Sequence, residues 1–109
     1  MRQAALGIAA AARNLRSRAI YDSTLERLIV NRLENSYRVS DDQVVQLSPD
    51  VRIAGIDGGE PLGEGLRQFV FYPNGSVLGG EIGISGSGGP AYIIRLEPLL
   101  GRVTILRSK

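Results

Sequence analysis

Three stretches of the 109-residue chain carry residue types at spacings that could do chemistry. Residues 86–91, GSGGPA, satisfy the glycine pattern G-x-G-x-x-G/A, in which bare backbone approaches a dinucleotide pyrophosphate. Residues 83–87, GISGS, come within one glycine of the serine-hydrolase elbow. Asp41–Asp42 is a carboxylate pair of the kind acid–base catalysis uses. Each fails on its surroundings. A dinucleotide site needs a helix after the glycines so that its N-terminus faces the anion, whereas Pro90 leads into YIIRLE, a β-branched run. The elbow lacks its last glycine. Adjacent residues on a strand point to opposite faces, so Asp41 and Asp42 read as a solvated turn. The single lysine is Lys109, which leaves no P-loop. Asn74-Gly75-Ser76 matches a glycosylation sequon, but a tight turn selects the same residues.

Composition narrows the field further. Histidine and cysteine are both absent, which removes the usual general base, zinc ligand, near-neutral proton switch and disulfide together. No cofactor and no metal site are expected. Of 13 basic and 11 acidic residues, every basic one but Lys109 is arginine. They are unevenly placed: Arg2, Arg13, Arg16 and Arg18 precede the first acid, Asp22, whereas Asp41, Asp42, Asp50, Asp57, Glu60 and Glu64 face only Arg52. The longest apolar run, AALGIAAAA at 4–12, is about half the roughly 20 residues a membrane span needs. No signal peptide is legible.

The elements that would position such groups are one helix and many strands. Residues 2–20 are alanine-rich and free of proline. At 100° per residue, Ala4, Ala5, Ile8, Ala11, Ala12, Leu15 and Ala19 form one stripe, which should pack on the rest of the domain. Gln3, Ala10, Arg13, Asn14 and Ser17 lie opposite, and Leu6 shares the azimuth of Arg13 and Ser17. TLERLIVNRL and SYRVS read as strands around a turn at Glu34–Asn35–Ser36. QVVQLSPDVRIAGI reads as a strand, a break at Pro49 and a short second strand. Residues 55–65, GIDGGEPLGEG, hold five glycines and three acids without periodicity and are expected to be a loop. LRQFVFY, EIGIS, AYIIRLE and RVTIL then alternate between turn signals, which points to antiparallel hairpins. The fold class expected is α+β, one N-terminal helix on a β-meander or two small sheets.

Residues 71–84, FYPNGSVLGGEIGI, concentrate glycine and so invite a ligand-cradling reading. A turn accounts for them better: Pro73 pre-sets φ, and Asn74–Gly75 accept the left-handed conformation of a tight connection. Gly79–Gly80 fall where the returning strand begins, as expected of a bulge or a close backbone approach.

With these parts in order, the chain resembles the GspH/FimT family of minor pseudopilins and pilins over nearly its whole length. The residues that carry the resemblance are ARNLRSRAI, LSPDVRI and, above all, 69–105. There Phe71, Pro73, Asn74, Gly75, Gly79, Gly80, Tyr92, Leu99, Gly101, Arg102 and Val103 stand at the family's motif positions. Leu100 departs from a pattern that usually has a small or polar residue in that slot. The resemblance implies a pilin-like fold, with residues 1–20 as the C-terminal half of the pilin-type helix and 21–109 as a β-rich periplasmic domain. It implies that the chain begins inside that helix, without the preceding membrane segment and prepilin-peptidase site that would anchor it in the inner membrane. The function implied is that of a structural subunit near the tip of the type II secretion pseudopilus, with no catalytic residues and no cofactor. The partners implied are the major pseudopilin, tip minor pseudopilins and secreted exoproteins, met through an outer helix face of Leu6, Ala10, Arg13 and Ser17. The alternative is a FimT-like type IV minor pilin in pilus assembly or DNA uptake. Such pilins carry a Gly-Arg-x-Arg cluster, whereas Gly101-Arg102-Val103-Thr104 lacks the second arginine, so DNA is not the expected partner. An enzyme built on the acidic residues 57–64 is the reading from another class, and it lacks any convincing acid pair.

Overall fold

In a computed structural model the described residues are 2–39, 43–86 and 91–107. The Asp41–Asp42 pair, Pro90 and most of GSGGPA lie outside them. Arg2–Asp22 form α1, two residues longer than the alanine-rich pattern suggests. The helix stops where Ser23 takes a left-handed conformation (φ 54°) and the Thr24 amide donates to the Ala19 carbonyl at 3.1 Å, the 6→1 bond of a Schellman-type cap. Ala5, Ile8, Ala9, Ala12, Leu15 and Ala19 are buried. The expected stripe holds, with Ala9 added because alanine lets the helix sit close to the strands. Burying Ile8 and Leu15 is worth roughly 1.5–3 kcal/mol each.

Among the described residues nine strands follow: β1 Glu26–Asn31, β2 Ser36–Arg38, β3 Val44–Gln46, β4 Val51–Gly58, β5 Glu60–Gly63, β6 Leu66–Phe71, β7 Gly80–Gly86, β8 Tyr92–Leu96 and β9 Val103–Arg107. They make two antiparallel sheets, β3-β2-β1-β6-β5 and β4-β7-β8-β9. α1 packs on β1 and β6 of the first and on β8 and β9 of the second. Between them lies one core, in which Leu28, Val30, Phe69 and Phe71 of the first sheet meet Ile82, Ile84, Ile94, Leu96 and Val103 of the second. Two sheets rather than a single meander is the outcome, and the α+β class stands.

Three expectations are corrected. Residues 55–65 are not a loop: β4 runs through Gly58, and β5 pairs with β6 through Glu60↔Gln68 and Pro61↔Arg67. Gly58 and Gly59 both adopt positive φ, 79° and 76°, so the chain passes from one sheet to the other in a single intervening residue. A Cβ on Gly58 would stand 2.5 Å from the Gly79 carbonyl oxygen, which is why glycine is needed there. The second correction is β4 itself, eight residues long and not short. The third concerns residues 72–76. The turn forms, with the Tyr72 amide donating to the Ser76 carbonyl at 2.9 Å and Phe71 bridged to Val77. It does not join two strands of one hairpin, however, because β6 belongs to the first sheet and β7 to the second.

Asn35 ties the sheets together. It sits at φ 56° in the β1–β2 turn, which spans Arg32–Asn35, and Ser36 already belongs to β2. Its side chain donates to the Val51 carbonyl (2.6 Å) and accepts from the Ile53 amide (2.9 Å), both on the free edge of β4. At the other end of that edge the Arg67 guanidinium donates to the Gly58 carbonyl at 2.7 Å. Side chains thus supply hydrogen bonds that a further strand would otherwise make.

Candidate assembly surface

The outer helix face is open. Leu6, Ala10, Arg13 and Ser17 are all exposed, Leu6 at 46%. Ala10 and Ser17 are small, so this face is shallow, and Leu6 is its large apolar residue. Arg13 is not simply directed to solvent, because its Nη2 donates to the Val103 carbonyl at 2.8 Å. Arg16, one turn further, donates from Nε to the Gly75 carbonyl at 3.0 Å. Sequence reasoning placed Arg13 on the outer helix face and counted Arg16 only as part of a basic start. An arginine one turn from another beside a buried stripe is a signal, since its long stem reaches around the helix to an unpaired carbonyl.

These clips bring the resemblance's motif positions together. The 72–76 turn is closed by Asn74, whose Oδ1 accepts from the Ser76 amide (3.0 Å) and hydroxyl (2.7 Å). The 97–102 turn is closed by the Gly101 amide donating to the Glu97 carbonyl and the Glu97 amide donating to the Arg102 carbonyl, both at 2.9 Å. Gly75 and Gly101 abut each other and Arg16. A Cβ on Gly101, at φ 65°, would run into the Gly75 carbonyl oxygen and lie 2.6 Å from Arg16 Nε. Gly79 and Gly80 are close-approach positions as expected: added Cβ atoms would meet the Leu96 carbonyl and Pro98 at the first, and the Asp57 carbonyl and the Phe69 ring at the second. Phe71 is fully buried, Tyr92 half-buried and Pro73 exposed. Arg102 is exposed, with Nε 3.9 Å from Glu97. Leu99 and Leu100 stand in solvent at the tip of their turn, 86% and 62% exposed. Most motif positions therefore shape the turns and the core, and not a ligand site.

Among the described residues no three carboxylates cluster closely enough to hold a metal, and no helix is long and apolar enough to cross a membrane. Of the acidic residues of 57–64, Asp57 lies in β4, Glu60 in β5 and Glu64 in the turn that follows β5. Among the described residues two side chains are perturbed. Burial pushes the Tyr37 phenol above its ordinary value, and the Ser48 hydroxyl donating to Asp50, helped by a backbone hydrogen bond, holds that carboxyl below its own. Tyr37 packs against α1 at Gly7, so its shift reflects the helix–sheet contact.

One helix laid across two antiparallel sheets, with its turns clipped to the helix, is a pilin-like α+β fold. The structure of the minor pseudopilin EpsH from the Type 2 Secretion System of Vibrio cholerae is similar, with a TM-score of 0.76 over 97% of this chain and 95% of that one. Sequence identity is 12%. No family model matches the chain, and no curated protein matches it in sequence.

Proposed function

We propose that the chain is the periplasmic part of a minor pseudopilin, a non-enzymatic structural subunit near the tip of a type II secretion pseudopilus. The observation that carries this reading is the likeness of fold to a minor pseudopilin across nearly the full length of both chains. The placement of Phe71, Gly75, Gly79, Gly80 and Gly101 at core and turn positions supports it, since the resemblance rests on those residues. On this reading an N-terminal segment anchors the protein in the inner membrane. The exposed helix face of Leu6, Ala10, Arg13 and Ser17 packs on the major pseudopilin and tip subunits, and exoproteins are the cargo.

Leu6→Arg tests the interface. At an exposed site the change stays within about 0.5 kcal/mol of folding stability, whereas at a packed subunit contact it buries an unpaired charge. The expected outcome is an unchanged melting temperature for the domain with impaired secretion in cells carrying only the variant. Normal secretion at normal protein abundance refutes the interface. Normal secretion in a deletion strain refutes the function.

A further inference from the structure

In the first sheet α1 lies over β1 and β6, and the sheet runs on past it to β2 and β3. Val30, Tyr37 and Val45 stand in one register row, so all three share the face that Val30 turns to the core. Val30 and Tyr37 are buried, whereas Val45 is 39% exposed. The core face of the sheet thus emerges from under the helix while its residues are still apolar. Between this overhang and the flank of α1 lies a groove of 200 Å³, with the buried Leu15 and Tyr37 at its floor and the exposed Asn14 and Gln43 at its rim. Arg18 and Val39 also line it, and both line a second groove of 270 Å³, where Arg27 and Arg38 join them. The two grooves therefore run on from each other, apolar at one end and basic at the other. Among the described residues none of the three arginines pairs with a carboxylate. Glu26 also lines the basic end, but its Oε2 accepts from the Thr24 hydroxyl at 2.8 Å. Three guanidiniums against one carboxylate leave that end positive.

We propose that this groove binds an extended segment of a partner protein, with a large apolar side chain against Tyr37 and Val45 and an acidic residue beside it among Arg18, Arg27 and Arg38. Charge complementarity selects the acid, because the planar fork of a guanidinium matches a carboxylate. The rim selects a peptide. Asn14 and Gln43 carry side-chain amides that donate and accept at once, as a passing peptide backbone requires, whereas a fatty chain would leave both unused. The inference goes beyond the assembly reading and does not depend on it. The groove lies on the flank of α1 that carries Asn14 and Arg18, roughly a third of a turn round from Leu6, Ala10, Arg13 and Ser17.

A random-peptide phage library panned on the immobilised 109-residue chain tests this. The expected result is enrichment of peptides in which an acidic residue stands beside a large apolar one, with binding that weakens as salt is added. A synthetic copy of the most enriched peptide should shift the chain's amide resonances chiefly at Asn14, Arg18, Val39, Gln43 and Val45. Fluorescence anisotropy should then show its dissociation constant raised roughly tenfold or more by Arg38→Glu and by Val45→Glu. Arg38→Lys keeps the charge without the fork and should raise it less. Both substituted residues are exposed, and circular dichroism checks that each variant folds. Panning that enriches no acidic peptide overturns the proposal. So does a peptide that both glutamate variants bind as the wild type does, or one whose shifts centre on Leu6. Vesicles of phosphatidylglycerol in phosphatidylcholine are the counter-probe: binding to them that needs Arg38, with no peptide selected, makes an anionic lipid surface the occupant and overturns the peptide.

Discussion

Asn35 stands in for a missing strand: its amide reaches Val51 and Ile53 from a turn belonging to the other sheet. Asn35→Ala leaves a buried carbonyl and a buried amide without partners and puts a Cβ residue without local hydrogen bonding at positive φ. The expected loss is about 2–4 kcal/mol, read as a lower denaturant midpoint. Asn35→Asp keeps the acceptor for Ile53 but sets a buried carboxylate oxygen against the Val51 carbonyl, and should cost at least as much as alanine at neutral pH. Tyr37 gives a pH signature. Its folded-state pKa lies above the unfolded value of about 10, so the unfolded state gives up the phenolic proton first. The stability linked to it is complete below that value and is lost as pH rises past it toward the folded pKa. Tyr37→Phe should flatten the alkaline limb of the melting temperature and leave the neutral region's slope with pH unchanged.

At the scale of elements, α1 holds the two tight turns in place as well as covering the core. Leu15→Ala, at 2% exposure, should cost roughly 2–5 kcal/mol on thermal or chemical denaturation. Gly101→Ala should cost roughly 2 kcal/mol or more, because it combines a left-handed backbone with a collision against the Gly75 carbonyl. Arg16→Ala should recover only part of that loss, since it removes just one of the colliding groups. The helix and β6 to β9 are legible in the sequence because alanine periodicity and β-branched alternation are local signals. The β4–β5 stretch is not, because five glycines and three acids in 55–65 mimic a loop while the ladder partners that make it sheet lie at 66–68 and 80–86. The turn at 72–76 is legible as a turn. Its sheet-switching role is not, because the residues that decide it are the strands flanking β7, remote in sequence. On the helix face, the azimuth of Leu6 was readable, but the reach of Arg13 and Arg16 to Val103 and Gly75 needed the tertiary fold.

For the molecule as a whole, charge decides what it does not hold tightly. Arg102 is exposed and weakly opposed by Glu97, and one arginine supplies about one phosphate contact, too little for salt-resistant affinity. Gel shifts with duplex DNA in about 0.15 M salt should show weak binding or none. Tight binding there, abolished by Arg102→Ala, would favour the DNA-uptake pilin over the secretion subunit. The passage of the chain between sheets at Gly58–Gly59, and again between β6 and β7, bears on how the molecule forms. The first sheet cannot close until β6 meets β1 across a separation of about forty residues, by which point β4 of the second sheet is already threaded between two of its strands in sequence. Neither sheet is a contiguous segment that can condense alone. Non-local pairing of this kind slows folding and joins both sheets in one cooperative unit. Native-state hydrogen exchange should therefore give the amides of β1, β6, β7 and β8 a common opening free energy equal to that of global unfolding, and a chain cut between β5 and β6 should leave two halves that fold only when mixed.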